Sequence, residues 1–230
     1  MAGCGGENAA EPVPATAEPS PAVWWHGSTP PLTYVLSEPE TDGAVSVESA
    51  LYERRSQRDF TDQALTEEQL SQILWAAYGI TAQGGLRTSP SAGATYPLEI
   101  YAIVGNVTGI EPGVYRYRPI THSIMRVVEG DKREALAVSV RQSMAYYAPI
   151  SLFYCAVYER TAGRYGERGE MYVHIEAGHS AQNVYLQATA MGLGTCAIGA
   201  GTFREPDVRE LLNLPEYETP FYLLPVGYYS

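Results

Sequence analysis

Three arginines and a serine fall within five residues at Arg54-Arg55-Ser56-Gln57-Arg58, in a chain with 26 acidic residues against 15 basic ones. Guanidiniums present planar forks of N–H donors that match phosphate oxygens, and a hydroxyl adds one more donor. In a protein of formal charge -11, such a group calls for an anion or a set of carboxylates. A solvated helix end, where arginines offset the dipole, would give the same residues, and on these residues alone it is the more economical account. A second stretch, Ser89-Pro90-Ser91-Ala92-Gly93-Ala94-Thr95-Tyr96-Pro97, is made mostly of small residues and leads straight into an apolar run. Backbone without bulky side chains can pass close to a flat ligand and offer its N–H and C=O groups to the polar edge, although an ordinary Ser/Gly loop reads the same way. In the third, Gly192-Leu193-Gly194-Thr195-Cys196-Ala197-Ile198-Gly199-Ala200-Gly201, glycines bracket a short strand. It lacks G-x-G-x-x-G at a strand-to-helix turn, so a Rossmann site is not supported.

The elements that must position these segments follow from periodicity and breakers. Val45 to Arg55 reads as a helix, which puts the arginines at its end. A second helix opens with Thr66 as N-cap and Gln69 three residues on, a capping box, and runs to Tyr78 before Gly79. Its apolar Leu70, Ile73, Leu74 and Ala77 recur at helical spacing. Residues 81 to 97 read as a loop, and Leu98 to Val104, bounded by Pro97 and Gly105, as a strand. Gly113 to Tyr117 and Ser123 to Val128 form a hairpin turning around Pro119 and His122. Asp131 to Tyr147 reads as a helix ended by Pro149, and Ile150 to Tyr158 as a strand covered on both faces. A long helix from Tyr172 to Met191 stops at Gly192-Leu193-Gly194. A strand at Thr195 to Ile198, a short helix at Pro206 to Leu212 and a last strand at Tyr222 to Gly227 complete an α+β order. Helices would cover both faces of a small mixed sheet, with the long apolar helix buried partly by a second subunit.

With 230 residues, 45% hydrophobic and 18% charged, the chain suits one globular domain, here residues 31–230. Its acidic balance offers no basic field for nucleic acid or an anionic membrane surface, so a small molecule is the expected partner. Cys4, Cys155 and Cys196 are too few and scattered for a disulfide framework, and no C-x-x-C pair is present for zinc. His174 and His179 stand one residue off same-face helical spacing, and no metal site is expected. No stretch approaches the roughly 20 apolar residues of a membrane-spanning helix.

Residues 1–30, rich in Pro, Ala and Glu, read as a disordered tether. Ala-Gly-Cys4 followed by such a spacer is similar to the start of a mature bacterial lipoprotein, with Cys4 acylated, but the segments of a signal peptide are absent. A flexible tail with a chance cysteine is the equal alternative. The first reading implies the cell envelope, with a signal trimmed ahead of Cys4, and the second the cytoplasm.

Taken in this order, the segments resemble those of the nitroreductase superfamily, specifically its SagB/ThcOx dehydrogenase branch. The resemblance is carried by Arg-Arg-Ser-x-Arg at Arg54 to Arg58, by Ser89-Pro-Ser-Ala-Gly-Ala-Thr-Tyr-Pro-Leu-Glu99, by Gly178-His179-x-x-Gln182-Asn183, and by Gly192-Leu-Gly194 running on to Gly199. It covers about residues 47 to 228, and the segment from Ser89 is its most specific part. It implies a nitroreductase-like mixed sheet flanked by helices, a homodimer with FMN bound between subunits, and ping-pong hydride transfer to or from a small molecule, with NAD(P)H a candidate donor. Arg54, Ser56 and Arg58 would hold the FMN phosphate and ribityl end, with Arg55 assisting. Pro90, Ser91 and Gly93 would approach the flavin from the partner subunit, and the Gly199 to Ala200 backbone would lie near N5 and O4 of the ring. Gln142 would contact the ribityl chain or ring edge. His179, Gln182 and Asn183 fall on the dimer-forming helix and are as readily structural as catalytic.

One departure bears on the substrate. Members of the branch that oxidise peptide azolines share a Lys-Tyr pair ahead of the long helix, and this chain has Arg164-Tyr165 there. A desolvated Lys can lose its proton and act as a base, whereas Arg stays charged and serves as an anion clamp, which puts azoline oxidation in doubt. No extra N-terminal domain for peptide-leader recognition is expected. Arg164 and Tyr165 are the candidate catalytic residues, in a Gly163 to Gly169 loop whose glycines would permit movement. Surface pairing of Arg164 with Glu167 or Glu170 is the plain alternative. A lipid-tethered envelope protein that uses the fold to bind flavin or another ligand without turnover is the second class of function.

Overall fold

The computed structural model describes residues 31–230, apart from the side chain of Ala200; the expected tether and Cys4 lie outside the described residues. Strand β1 (Thr33–Val35) precedes helix α1 (Val47–Glu53), whose N-cap Ser46 accepts the Ser49 amide. α1 is shorter than expected, and Arg54 is its C-cap. α2 (Glu67–Tyr78) starts on the expected capping box of Thr66 and Gln69 and stops at Gly79. The stretch read as a loop holds a hairpin, β2 (Ile80–Ala82) and β3 (Leu86–Arg87), and then a 3-10 turn at Ala92–Ala94.

Strands β4 (Leu98–Val104), β5 (Gly113–Arg118) and β6 (Ser123–Glu129) follow as read from the sequence. The expected helix over 131–147 is broken into α3 (Arg133–Val140) and α4 (Met144–Tyr147), because Arg141 between them is left-handed at φ 55°. The break lets both pieces bury apolar residues, Leu136 and Val140 from one and Met144 and Ala145 from the other, in the same core. β7 (Ile150–Ala156) ends two residues early, and a helix missed in the sequence, α5 (Tyr158–Tyr165), follows it.

A further 3-10 turn, Gly166–Arg168, joins α5 to α6 (Gly169–Ala190), so the mobile loop expected at Gly163 to Gly169 is a helix-turn-helix corner. Close approach, not freedom, explains Gly169: a Cβ there would stand 2.7 Å from the Ala162 backbone of α5. β8 (Gly194–Thr195) and β9 (Ile198–Gly199) divide the expected strand in two. α7 (Glu205–Leu212) and β10 (Thr219–Gly227) end the chain.

Eight strands form one sheet in the order β1-β6-β5-β4-β7-β10-β8, with β9 also paired to β10. All its ladders are antiparallel, and parallel pairing enters as the bridges Ser56–Thr195 and Leu65–Val107. Both faces are covered, as the long apolar strands require. On β4 the alternation is explicit. Leu98, Ile100, Ala102 and Val104 join the core of α2 and α6, whereas Tyr101 and Ile103 join that of α3 and α7. Among the described residues no helix is long and apolar enough to cross a membrane.

Candidate functional site

The arginine segment lies against the sheet edge at β8. Ser56 forms the parallel bridge to Thr195, and the Gln57 amide donates to the Thr195 carbonyl at 3.0 Å. Tyr185 of α6 ties this segment to the glycine-bracketed one. Its hydroxyl stands 3.2 Å from Ser56 Oγ and accepts the Ala197 amide at 2.8 Å, while the Arg54 guanidinium lies over its ring at 5.2 Å. Two residues beyond Ala197, Gly199 pairs with Tyr222, is exposed, and has nothing within 4 Å of a Cβ built on it. Ala200 opens a 3-10 turn there.

Among the described residues no carboxylate pairs with Arg54, Arg55 or Arg58. Arg55 departs from expectation: its guanidinium turns back to the Tyr52 and Arg54 carbonyls at 2.9 and 2.7 Å, closing the end of α1. Arg54 and Ser56 therefore present donors without a carboxylate partner near the open backbone that leads to Gly199, and Arg58 is exposed two residues further along the same segment. That chemistry fits a phosphate with a flat ring attached.

The small-residue loop builds a second cluster. Asn183 of α6 donates to the Thr88 carbonyl at 3.1 Å and to Ser89 Oγ at 3.2 Å, which gives Asn183 a structural task; Gln182 and His179 are exposed. Pro90 is exposed and Ser91 half-buried, with Ser91 Oγ accepting the Tyr96 amide at 3.0 Å. Gly93 is left-handed at φ 60°, and a Cβ on it would meet Tyr165 Oη at 2.7 Å and Arg164 Cδ at 2.9 Å. Arg164 donates to the Gly93 carbonyl at 3.2 Å, and no ion pair with Glu167 or Glu170 forms among the described residues. Tyr165 meets Tyr172 edge-on at 5.0 Å. α5 is held over the loop by Thr161, whose hydroxyl is 2.8 Å from that of Thr95, and by Arg160, which donates to the Tyr96 carbonyl at 2.8 Å.

Sequence reasoning missed what lies beneath this loop. Glu176 is 2% exposed on α6 and hydrogen-bonded by the Tyr78 hydroxyl, with the Ser91 hydroxyl beside it. Burial pushes its carboxyl up to about 7, against the opposing hydrogen bonds of Ser91 and Tyr78 and the charge of Arg87. The available signal was a glutamate on a helical face otherwise made of Val173, Ala177 and Ser180. Tyr185 was missed for the same reason, as an apparent core residue.

The expected residues thus gather in two groups, Arg54, Ser56 and Gly199 on one side, and Ser91, Gly93, Arg164 and Tyr165 on the other. Along α6, Glu176 and Tyr185 are about 13 Å apart, taking a rise of roughly 1.5 Å per residue. Gln142 joins neither; it sits in the link between α3 and α4, half-buried beside Ser143 and Tyr146.

Residues 51–228 match the Nitroreductase family. The chain belongs to this family. A protein of Methanocaldococcus jannaschii named as a nitroreductase is 50% identical over 184 residues, spanning 80% of this chain and 91% of the relative. The FMN reductase (NADPH) of Bacillus subtilis is 25% identical over 181 residues, 76% of this chain and 62% of the relative. The microcin B17-processing protein McbC of Escherichia coli is 27% identical over 154 residues, 64% of this chain and 56% of the relative, and the likeness to it places the chain on the SagB-like side of the superfamily. A solved nitroreductase-like structure from Ralstonia eutropha superposes with a TM-score of 0.74 at 27% identity, covering 89% of this chain and 96% of that one. The fold is that of the family, and family and relatives together support an oxidoreductase.

Proposed function

We propose that the chain binds FMN between two copies of itself and passes reducing equivalents from a donor such as NAD(P)H to a small-molecule acceptor at one cleft. When bound, the flavin supplies two-electron hydride chemistry, and the protein supplies anchoring, orientation and exclusion of water. Arg54, Ser56 and Arg58 hold the phosphate and ribityl end, with Arg55 closing α1 behind them. The Gly199 to Ala200 backbone lies at the ring edge, where Gly199 leaves room. Pro90, Ser91 and Gly93 meet the ring from the second copy, and Arg164 and Tyr165 face the acceptor, Arg164 as an anion clamp rather than a base. For Gln142 the support is the resemblance alone.

The observation that carries this reading is the set of arginines without carboxylates beside open Gly199 backbone, in a strongly acidic protein. Separation of the two residue groups within one protomer supports a site completed by a second copy. So do the exposed apolar residues Met171 and Ile175 of α6 and Val47, Leu51 and Tyr52 of α1.

The test is flavin content. Protein purified without added flavin should show the absorption of bound oxidised FMN. Replacing Arg54 and Arg58 together by Ala should abolish retention, since a hydrogen bond to a charged group is worth about 1.5 to 3 kcal/mol. Full occupancy in that double variant, or a monomeric mass with flavin retained, would refute the assignment.

A further inference from the structure

The flavin reading leaves open where the second hydrogen of a two-electron reduction comes from. A hydride carries two electrons and one hydrogen, and an acceptor that ends as a neutral reduced molecule also needs a proton. Arg164 does not supply it, because a guanidinium does not give up its proton. Beneath the same loop, however, stands a buried carboxyl that none of the functions assigned so far uses.

Glu176 differs from a structural buried acid in what surrounds it. The hydroxyl of Tyr78, from α2, donates to it, and the Ser91 hydroxyl, which accepts the Tyr96 amide at 3.0 Å, lies beside it. Arg87, from β3, is the nearest cation, but its guanidinium lies over the rings of Tyr78 and Tyr96 at 4.2 and 4.8 Å and donates to the Tyr78 carbonyl at 3.2 Å. No ion pair reaches Glu176 among the described residues. Tyr96 faces the same space and, like Tyr78, is itself pushed up by burial, so both phenols stay protonated near neutral pH. Glu176 is therefore the group of this cluster that exchanges a proton there. Ser91 is half-exposed and two residues from Gly93, where Arg164 and Tyr165 close on the loop.

We propose that Glu176 is the proton reservoir of the site and acts through Ser91, with Tyr78 holding the carboxyl in place. The proposal rests on the flavin reading. In the step, the O–H bond of the neutral Glu176 carboxyl breaks and its proton passes to Ser91 Oγ, while the proton Ser91 already carries passes to the acceptor. The electrons and the other hydrogen arrive with the hydride the flavin supplies, and the Glu176 carboxylate regains a proton from water. In the oxidative direction the same pair runs in reverse. Glu176 touches neither acceptor nor ring, so it is a positioning and relay residue, and Ser91 is the contact.

Two measurements on the purified holoprotein test this. Infrared difference spectra between pH 5 and pH 9 should show a protonated-carboxyl C=O band that titrates near pH 7 and is absent in Glu176→Gln. Steady-state reduction of benzoquinone, which takes up protons, is compared with that of ferricyanide, which takes electrons alone. In the parent the ratio of the two rates should fall about tenfold from pH 6 to pH 8. In Glu176→Gln the ratio at pH 6 should be at least tenfold lower and flat with pH. Should that variant fail to fold, Ser91→Ala keeps the carboxyl: the infrared band should remain while the ratio drops. A parent protein without the band overturns the proposal, as does a flavin-bearing Ser91→Ala or Glu176→Gln variant with an unaltered ratio and pH profile. Protein that shows the band but retains no flavin would overturn the flavin reading and the relay with it, whereas flavin-bearing protein without the band overturns the relay alone.

Discussion

Two buried acidic regions lie under α5, one at each end of its contacts, and they handle charge in opposite ways. At one, Glu99 bonds Arg116 at 2.5 Å and Arg160 at 2.6 Å, with Glu218 3.7 Å from Arg116 and bonded by the Tyr101 hydroxyl at 2.8 Å. Burial alone would raise Glu99, but the two guanidiniums outweigh it and hold its carboxyl below the usual range, whereas burial and the Glu99 charge raise Glu218. At the other, Glu176 is bonded by the Tyr78 hydroxyl, and the nearest guanidinium, Arg87, makes no ion pair with it. A buried carboxylate with two arginines is locked in one protonation state and works as a bolt; one bonded by a hydroxyl, with no ion pair, remains free to titrate. The first suits holding α5 in place, the second chemistry beside it.

The largest effect is expected from unmaking the bolt. Arg116→Met should strand Glu218 in the core, leave Glu99 with Arg160 alone, and destabilise the protein by about 3 to 5 kcal/mol, measured by denaturant unfolding at pH 7. The penalty should shrink toward pH 4, as the stranded carboxyl accepts a proton. A loss below about 1 kcal/mol at pH 7 would show that the region is more hydrated than its burial implies.

The next effect sharpens the contrast through its sign. Glu176 has a folded value raised to about 7 from an ordinary 4.5, so its contribution to stability is fully present below about pH 4.5 and is lost as pH rises through 7. Glu99, held below the usual range, contributes the reverse, with stability present above its ordinary value and lost as pH falls further. Glu176→Gln should therefore remove part of the decline between pH 4.5 and 7, up to about 3 kcal/mol at roughly 1.4 kcal/mol per unit. Glu218 retains its own share of that decline. Unfolding curves of parent and variant that stay parallel across this range would contradict a titrating Glu176.

The two regions were also unequally legible in the sequence. Local signals were reliable where one segment settled the matter: the Thr66-Gln69 box, the apolar run of β4, the glycine stop after α6. Neither buried acid could be read that way, because Glu99 and Arg116 meet across the β4–β5 pair, and Glu176 meets Tyr78 and Ser91 from other elements. Arg54 and Ser56 were legible as a cluster by their spacing, but the residue that joins them to Ala197, Tyr185, looked like core. The corner at Gly166 was misread because glycine marks tight packing as well as freedom; at Gly169 it is the backbone of Ala162 that excludes a side chain. The broken helix at Arg141 gave no sign, since a left-handed arginine carries no residue signature.

The smallest effect on stability, and the one that divides α5 most cleanly, concerns its two arginines. Arg160 reaches into the bolt, whereas Arg164 is exposed and bonds the Gly93 carbonyl above Glu176. An exposed charged contact of this kind is worth about 0 to 1 kcal/mol, so Arg164→Ala should scarcely change the unfolding midpoint. If Arg164 and Tyr165 face the acceptor, Arg164→Ala and Tyr165→Phe should still retain FMN yet slow flavin reoxidation, most for an anionic acceptor in the arginine variant. Arg160→Ala should do the opposite first, costing stability by leaving Glu99 one guanidinium short. The decisive comparison is stopped-flow reoxidation of the two arginine variants at equal flavin content. Parent-like rates in Arg164→Ala and Tyr165→Phe would make α5 a scaffold at both ends and remove the pair from the cleft.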